Sequence, residues 1–294
     1  MKALVIAEHA DAARELCAGA RTLADEVVLV SFGEAPEQVA DKIAKITVPE
    51  GAVIDDAADT VIAVFDAEKP AIVLVEPTRR MKAIAGKLAF HADTAAITDV
   101  MEFAGEGAKS LYFGGVGERV QKAAGEVAVY TVGTGVFAEA PSSGANIEEE
   151  VAWVAPAHPA KLVAVEPIEK SGVDLTKADV VVAAGRGFAE KADLDLAREL
   201  CDKIGAGLGC SRPLTEGVDW MPTETYIGVS GLMLAPKVYV ACGISGQMQH
   251  MVGANRSGAV FAVNKDKNAP IFKQCDFGLV GDVKDVLPAI VAAL

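Results

Sequence analysis

Short apolar runs separated by polar, glycine-containing loops recur along the chain, and stretches with apolar residues at helical spacing lie between many of them. In the first part, Leu4–Ala7 and Val27–Ser31 read as strands on either side of a helix at Asp11–Ala24. After a variable acidic stretch come a helix near Ala57–Glu68 and a strand at Ala71–Val75. The loop Glu76-Pro77-Thr78-Arg79-Arg80 then leads to a helix near Met81–Phe90. Strand, helix and strand in this rhythm predict a mostly parallel sheet with helices on both faces. Around Leu111–Val136 the runs become shorter and glycine-broken, which predicts an antiparallel extension. From about Ala138 to Ser171, Pro, Ser, Gly and Glu dominate, and Glu148-Glu149-Glu150 reads as a solvated face. A strand near Lys161–Glu166 is assigned to the first domain, and the boundary is placed near Ile168–Val173. The fold class is therefore α/β, with two domains at 1–170 and 171–294, each a mostly parallel sheet flanked by helices.

The last third repeats one arrangement, an apolar run followed by a loop of Gly, Ser, Arg, Asn or Asp. Asp179–Ala184 runs into Gly185-Arg186-Gly187, Gly207–Cys210 into Ser211-Arg212-Pro213, and Val238–Cys242 into the eight residues Gly243–His250. Ala259–Val263 runs into Asn264-Lys265-Asp266. If the runs are parallel strands, all these loops share the carboxyl rim of one sheet, where open α/β sheets hold ligands. Glycine allows close backbone approach, and Arg and Ser favour an anionic, hydroxyl-rich ligand. A helix at Asp193–Ile204 with Gly205 at its end and an N-cap at Asp282 for Val283–Leu294 complete the second domain.

Taken singly, these elements are ambiguous. The Ser-Gly turn after Val238–Cys242 opens into a helix whose first N–H groups suit a pyrophosphate, yet it is equally an ordinary strand–helix turn. His250, about one turn into that helix, fits a structural role as well as a functional one. Arg212, stiffened by Pro213, suits a phosphate or a negatively charged reduced ring, or a surface ion pair; Arg186 has the same ambiguity. Asn264 suits a base, a ribose or a plain Asx turn, and Ser230 is one hydroxyl between glycines. Together on one rim they favour a dinucleotide.

Composition narrows the classes. A length of 294 residues favours two domains, and 51% hydrophobic with 23% charged content fits a globular core. No apolar run approaches the ~18 residues of a membrane span. Ala3-Leu4-Val5-Ile6-Ala7 is stopped by Glu8-His9, so it reads as a strand and not a signal core. A soluble, cytoplasmic protein without membrane insertion is expected. The formal charge of -14 argues against nucleic acid and for a partner with a basic docking patch. Cys17, Cys201, Cys210, Cys242 and Cys275 form no C-x-x-C pair and read as small core residues, and the four histidines lack zinc spacing.

The segments GISGQMQHMVG (Gly243–Gly253), VNKDKNAPIF (Val263–Phe272) and DFGLVGD (Asp276–Asp282) strongly resemble the alpha subunit of electron-transfer flavoprotein. The branch they are most similar to is the one associated with carnitine metabolism and nitrogen fixation. Gly185-Arg186-Gly187, Ser211-Arg212 and the terminal helix fit in the same order, and Met1–His9, Thr78–Phe90 and Gly125–Phe137 fit more loosely. The resemblance implies FAD in a doubly wound carboxyl-terminal domain and a beta subunit docked mainly on the first domain. It also implies transient electron exchange with an acyl-CoA-type dehydrogenase and a downstream acceptor.

Carried over by motif, the FAD contacts are Arg186, Ser211, Arg212, Ile227, Gly228, Val229, Ser230, Ser245, Gly246, Gln247, Met248, Gln249, His250, Asn264, Asp282 and Val283. The resemblance puts Arg212 over the isoalloxazine ring, Ser230 near N5 and His250 near the pyrimidine carbonyl. A cation there would stabilise negative charge at N1 and C2=O, and Ser245 and Gly246 would hold the pyrophosphate. Where the family commonly reads Gly-Gln-Thr-Gly-Lys, this chain has Gly228-Val229-Ser230-Gly231-Leu232, which removes one amide side chain and one cation. Two other readings stay open: a stand-alone flavin or NAD oxidoreductase using His250, and a non-redox nucleotide-binding module.

Overall fold

The computed structural model describes residues 1–105, 107–113, 117–137, 140–141, 143–166 and 173–294. These fall into two compact units, one built mainly from residues 1–166 and the other from residues 173–294. Of the boundary expected at Ile168–Val173, only Val173 lies within the described residues.

The first unit is a nine-stranded sheet. Its strands are β1 (Lys2–Ala7), β2 (Glu26–Ser31), β3 (Lys42–Ile46), β4 (Ile72–Val75), β5 (Ala96–Ala104), β6 (Gly107–Tyr112), β7 (Gly117–Gln121), β8 (Ala128–Val132) and β9 (Ile147–Val151). They lie in the order β7-β6-β5-β8-β4-β1-β2-β3-β9. Helices α1 (Ala10–Leu23), α2 (Ala58–Glu68) and α3 (Arg79–His91) supply the crossovers. The central strands read as unbroken apolar runs because both faces are covered. Val5, Val27 and Leu29 join the core on one side, while Leu4, Ile6, Val28 and Val73 join that on the other.

Several expectations need correction. Among the described residues the antiparallel pairing is confined to β5–β6 and β6–β7; β8, within the same expected stretch, runs parallel to both β4 and β5. The acidic stretch contains β3, whose two lysines conceal a strand that buries Ile43, Ala44 and Ile46. Glu148-Glu149-Glu150 is solvated as expected, but it forms edge strand β9, paired with β3 and held by Lys42–Glu149 and Lys45–Glu148 ion pairs. Residues 161–166 form no strand: Val163 is 90% exposed, so their apolar alternation faces no second layer.

The second unit is a five-stranded parallel sheet in the order β11-β10-β12-β13-β14, with β10 (Val180–Ala184), β11 (Gly207–Cys210), β12 (Val238–Cys242), β13 (Ala259–Asn264) and β14 (Phe277–Val280). Helix α4 (Leu194–Ile204) buries Leu194, Ala197, Leu200 and Cys201, the i, i+3, i+6, i+7 stripe of an amphipathic helix, in a core shared with Val182, Ala184 and Cys242. It ends as expected at Gly205, which takes the left-handed conformation at φ 66°. Helix α6 (Val283–Ala293) starts at Asp282, whose carboxylate accepts from Lys284 N at 3.0 Å. Chain order reverses between β10 and β12, so the carboxyl ends of those two strands flank the crevice where such sheets bind ligands. Four of the five cysteines are buried free thiols and Cys275 is partly exposed, in keeping with their reading as core residues.

Candidate functional site

At that crevice lies a cavity of about 650 Å³, within the size range of small-molecule and cofactor sites. Loops following β10, β11, β12 and β13 supply its walls, as the strand-to-loop pattern predicts. Arg186, Ser211, Arg212, Val229, Ser230, Ser245, Gln247, Gln249, His250, Asn264, Asp282 and Val283 all line it. Ile227, Gly228, Gly246 and Met248 do not. Ile227 is fully buried in the core, and Gly228 and Gly246 pack on neighbouring backbone. Tyr226, Ala269 and Pro270 line the cavity without having been singled out as contacts. For Ala269 and Pro270 the signal was their place within Val263–Phe272, and for Tyr226 its position next to Ile227.

Gly187 and Gly243 line the cavity, and with Gly185 they also do a second job. A Cβ on Gly185 would meet Gly243 O at 2.4 Å, and one on Gly187 would meet Gly243 Cα at 2.5 Å. The loops after β10 and β12 are thus pressed together, cross-linked by Gly187 N donating to Gly243 O at 2.9 Å. Close approach here is of backbone to backbone, and it places Arg186 and Ser245 on adjoining walls.

Helix α5 (Met248–Met251) is only four residues long, so a strong helix dipole is not available to an anion. Ser245 and Gly246 precede it by two and more residues and belong to the loop. Among the described residues, the backbone N–H groups of Ser245, Gly246 and Gln247 donate to no protein acceptor. Unpaired successive amides of this kind are an anion seat in their own right. Arg186, Arg212 and Lys265 line the cavity with Asp266 and Asp282, leaving one excess positive charge within a chain of net charge -14.

Arg212 stands exposed at the cavity edge, where its Nε donates to Glu216 Oε2 at 2.6 Å, and that hydrogen bond together with the Glu216 charge raises its pKa. Both terminal nitrogens of the fork stay available, since among the described residues only Nε is engaged. The Arg212 carbonyl accepts from Thr215 N, Thr215 Oγ1 and Glu216 N at 2.9 to 3.1 Å, which fixes the turn that Pro213 begins. Asn264 forms the Asx turn that was one of its readings: Oδ1 accepts from Asp266 N and Nδ2 donates to Ile244 O, both at 2.9 Å. Ser230 Oγ lies 3.4 Å from Tyr226 OH.

His250 differs most from expectation. Burial lowers its pKa from 6.5 to about 4, so at neutral pH it is no cation and contributes no charge to a reduced ring. Nε2 lies 2.7 Å from Tyr239 OH. Nδ1 is withdrawn from solvent and has no hydrogen-bond partner among the described residues. A consequence is testable. Between pH 6.5 and about 4 the unfolded chain takes the proton first, so stability falls as pH falls through that window. The loss approaches about 3 kcal/mol at the acid end. Urea unfolding at pH 7 and pH 4.5 should show His250→Asn losing less stability than the wild type.

Residues 174–255 match the electron transfer flavoprotein FAD-binding domain, and residues 3–158 match the electron transfer flavoprotein domain. The FixB proteins of Salmonella typhimurium and Escherichia coli O127:H6 are 40% and 39% identical to the chain over 293 residues, covering 95% of it and 94% of themselves. A third, from Escherichia coli O139:H28, is 43% identical over 229 residues, 76% of this chain and 73% of its own. The chain belongs to the electron-transfer flavoprotein family. Within it the chain is of the alpha-subunit type and the FixB branch, and FAD is its cofactor. The family role is electron transport as a heterodimer with a beta subunit. No described helix is long and apolar enough to cross a membrane. The cavity fits the cofactor on structural grounds, through three free loop amides, local positive charge and a pocket otherwise largely apolar.

Proposed function

We propose that this chain holds FAD in the cavity on the β10–β14 rim and relays electrons from an acyl-CoA-type dehydrogenase to a downstream acceptor. The observation that carries the placement is the convergence of the unpaired amides of Ser245, Gly246 and Gln247 with Arg186 and Arg212 on one crevice. The amides would hold the pyrophosphate, and Asn264, Asp282 and Val283 would border the nucleoside end. The free end of the Arg212 fork lines the cavity and would favour negative charge on a ring bound there, and Val229, Ser230 and Gln249 would shape the wall beside it. Bound flavin supplies the redox chemistry, and the protein orients it and tunes its potential.

The beta subunit docks mainly on the first unit. Support comes from the β5–β7 extension, where Tyr112 and Val120 are exposed side chains with apolar surface. A cytoplasmic location agrees with four free thiols held in the cores. The stand-alone oxidoreductase reading needs a proton-transfer group at the ring. His250 is a poor one, being buried, uncharged and engaged at Nε2.

Stopped-flow reduction of the heterodimer tests the relay. Flavin bleaching is expected with an acyl-CoA dehydrogenase and its substrate together, and none with the acyl-CoA alone. Bleaching by a small substrate without a dehydrogenase would instead establish a stand-alone enzyme.

A further inference from the structure

Residues 228–231 carry Val229 and Ser230 into the cavity wall between two glycines, and the loop they form is wrapped around Tyr226. A Cβ on Gly231 would meet Tyr226 O at 2.3 Å and the phenol ring at 2.6 Å. One on Gly228 would meet Gln249 O at 2.6 Å and the Tyr226 hydroxyl at 3.0 Å. The wrap is closed by Leu232 N donating to Tyr226 O at 2.8 Å, Gly228 N to Leu232 O at 3.1 Å and Gly231 N to Gly228 O at 2.9 Å. Tyr226 is itself seated on the sheet. Its backbone bridges Cys210 at the end of β11, and Ile227 N donates to Cys210 O at 2.9 Å. Tyr226 is buried, whereas Val229 and Ser230 are exposed, so a packed ring sets the place of two wall residues that burial does not fix.

The phenol also reaches the cavity, and its hydroxyl meets Ser230 Oγ at 3.4 Å. Among the described residues neither hydroxyl has another partner. One hydrogen of the pair is shared and the other stays free. Phenol is the stronger acid and hence the better donor, while its oxygen, conjugated with the ring, is the weaker acceptor. The Tyr226 hydrogen is then directed to Ser230 Oγ, and the Ser230 hydrogen is left for an acceptor in the cavity. We propose that Tyr226 is a positioning residue of the cofactor site: its ring is the template on which residues 228–231 fold, and its hydroxyl aims that of Ser230 at an acceptor on the bound ring. The seating of the loop stands on this geometry alone, while its effect on the cofactor rests on the FAD reading above.

The test compares two variants of the full chain with its beta subunit. Tyr226→Phe keeps the ring and deletes the hydroxyl. It should leave the thermal midpoint and the amide hydrogen exchange of residues 228–232 as in the wild type. Because the bond it removes is long, it should reduce the preference for reduced over oxidised FAD only about threefold, roughly 30 mV for one electron. In a Ser230→Ala background the same substitution should shift the potential no further, since the hydroxyl acts through Ser230. Tyr226→Leu removes the template as well. The amides of Gly228, Gly231 and Leu232 should then exchange faster, and FAD should bind roughly tenfold more weakly. An unchanged potential in Tyr226→Phe, an equal shift with and without Ser230, or wild-type exchange in Tyr226→Leu would each overturn the proposal. If the heterodimer takes up no FAD at all, the cofactor reading fails, and the exchange of these amides still decides whether Tyr226 seats the loop.

Discussion

Gly243→Ala should strip the heterodimer of FAD and lower the thermal midpoint of the second unit. Gly243 has φ 65°, and a Cβ there would lie 2.7 Å from Gly187 Cα and 3.0 Å from Gly187 N. Those are backbone atoms in a loop already bonded to Gly243, so no side chain can swing aside. The left-handed conformation costs about 1–2 kcal/mol and overpacking about 1–3 more. Part of that strain is relieved by parting the loops that carry Arg186 and Ser245, and the site loses its convergence. A loss of about 3 kcal/mol in binding is roughly a hundredfold in Kd. Gly205→Ala is the control, because Gly205 has φ 66° with nothing within 4 Å of a Cβ and lies outside the cavity. It should lower the thermal midpoint modestly and leave FAD affinity unchanged. Flavin fluorescence titration and thermal melting separate the two variants. Equal affinities would mean that the pressed loops do not shape the site.

Arg212→Ala should weaken FAD binding about tenfold and lower the flavin midpoint potential by about 60 mV, one tenfold step for a single electron. Two changes act in the same direction. The guanidinium is lost from the cavity edge, and Glu216, which it held at 2.6 Å, remains as an uncompensated carboxylate. Both disfavour the negative charge that arrives with each electron. Arg212→Lys keeps the charge and loses the planar fork, so it should recover part of the potential and less of the affinity. Redox titration against dyes of known potential gives both quantities. An unchanged potential in the alanine variant would remove Arg212 from the ring's surroundings.

How much of this was legible in the sequence depended on how local the cause was. Val180–Ala184 is apolar at every position because both its faces are buried, so it announces a central parallel strand. Gly205 and Asp282 mark helix ends through their own backbone and side-chain chemistry. The rim was visible for the same reason, since each polar loop follows a run of strand-forming residues. By contrast, β3 reads Lys-Ile-Ala-Lys-Ile and β9 is mostly glutamate, and only their mutual pairing and lysine–glutamate contacts make strands of them. Residues 161–166 alternate correctly but find no sheet to bury them.

Within the site, the missing information was tertiary. The sequence of α5 gave no measure of its length or of the depth at which His250 sits, and depth alone turns that residue from an expected cation into a neutral ring. The role of Gly185, Gly187 and Gly243 is likewise a property of two loops meeting, which neither loop carries by itself.

The most direct measurement is the flavin content of the heterodimer, read from its absorption between 300 and 600 nm and from the FAD released on denaturation, for the wild type and Gly243→Ala in parallel. The account predicts a two-band flavin spectrum in the wild type and a Gly243→Ala complex, folded and heterodimeric, poorer by one FAD per chain. A colourless wild type that takes up no added FAD, or a variant retaining the full complement, would contradict the assignment of the cofactor to this cavity.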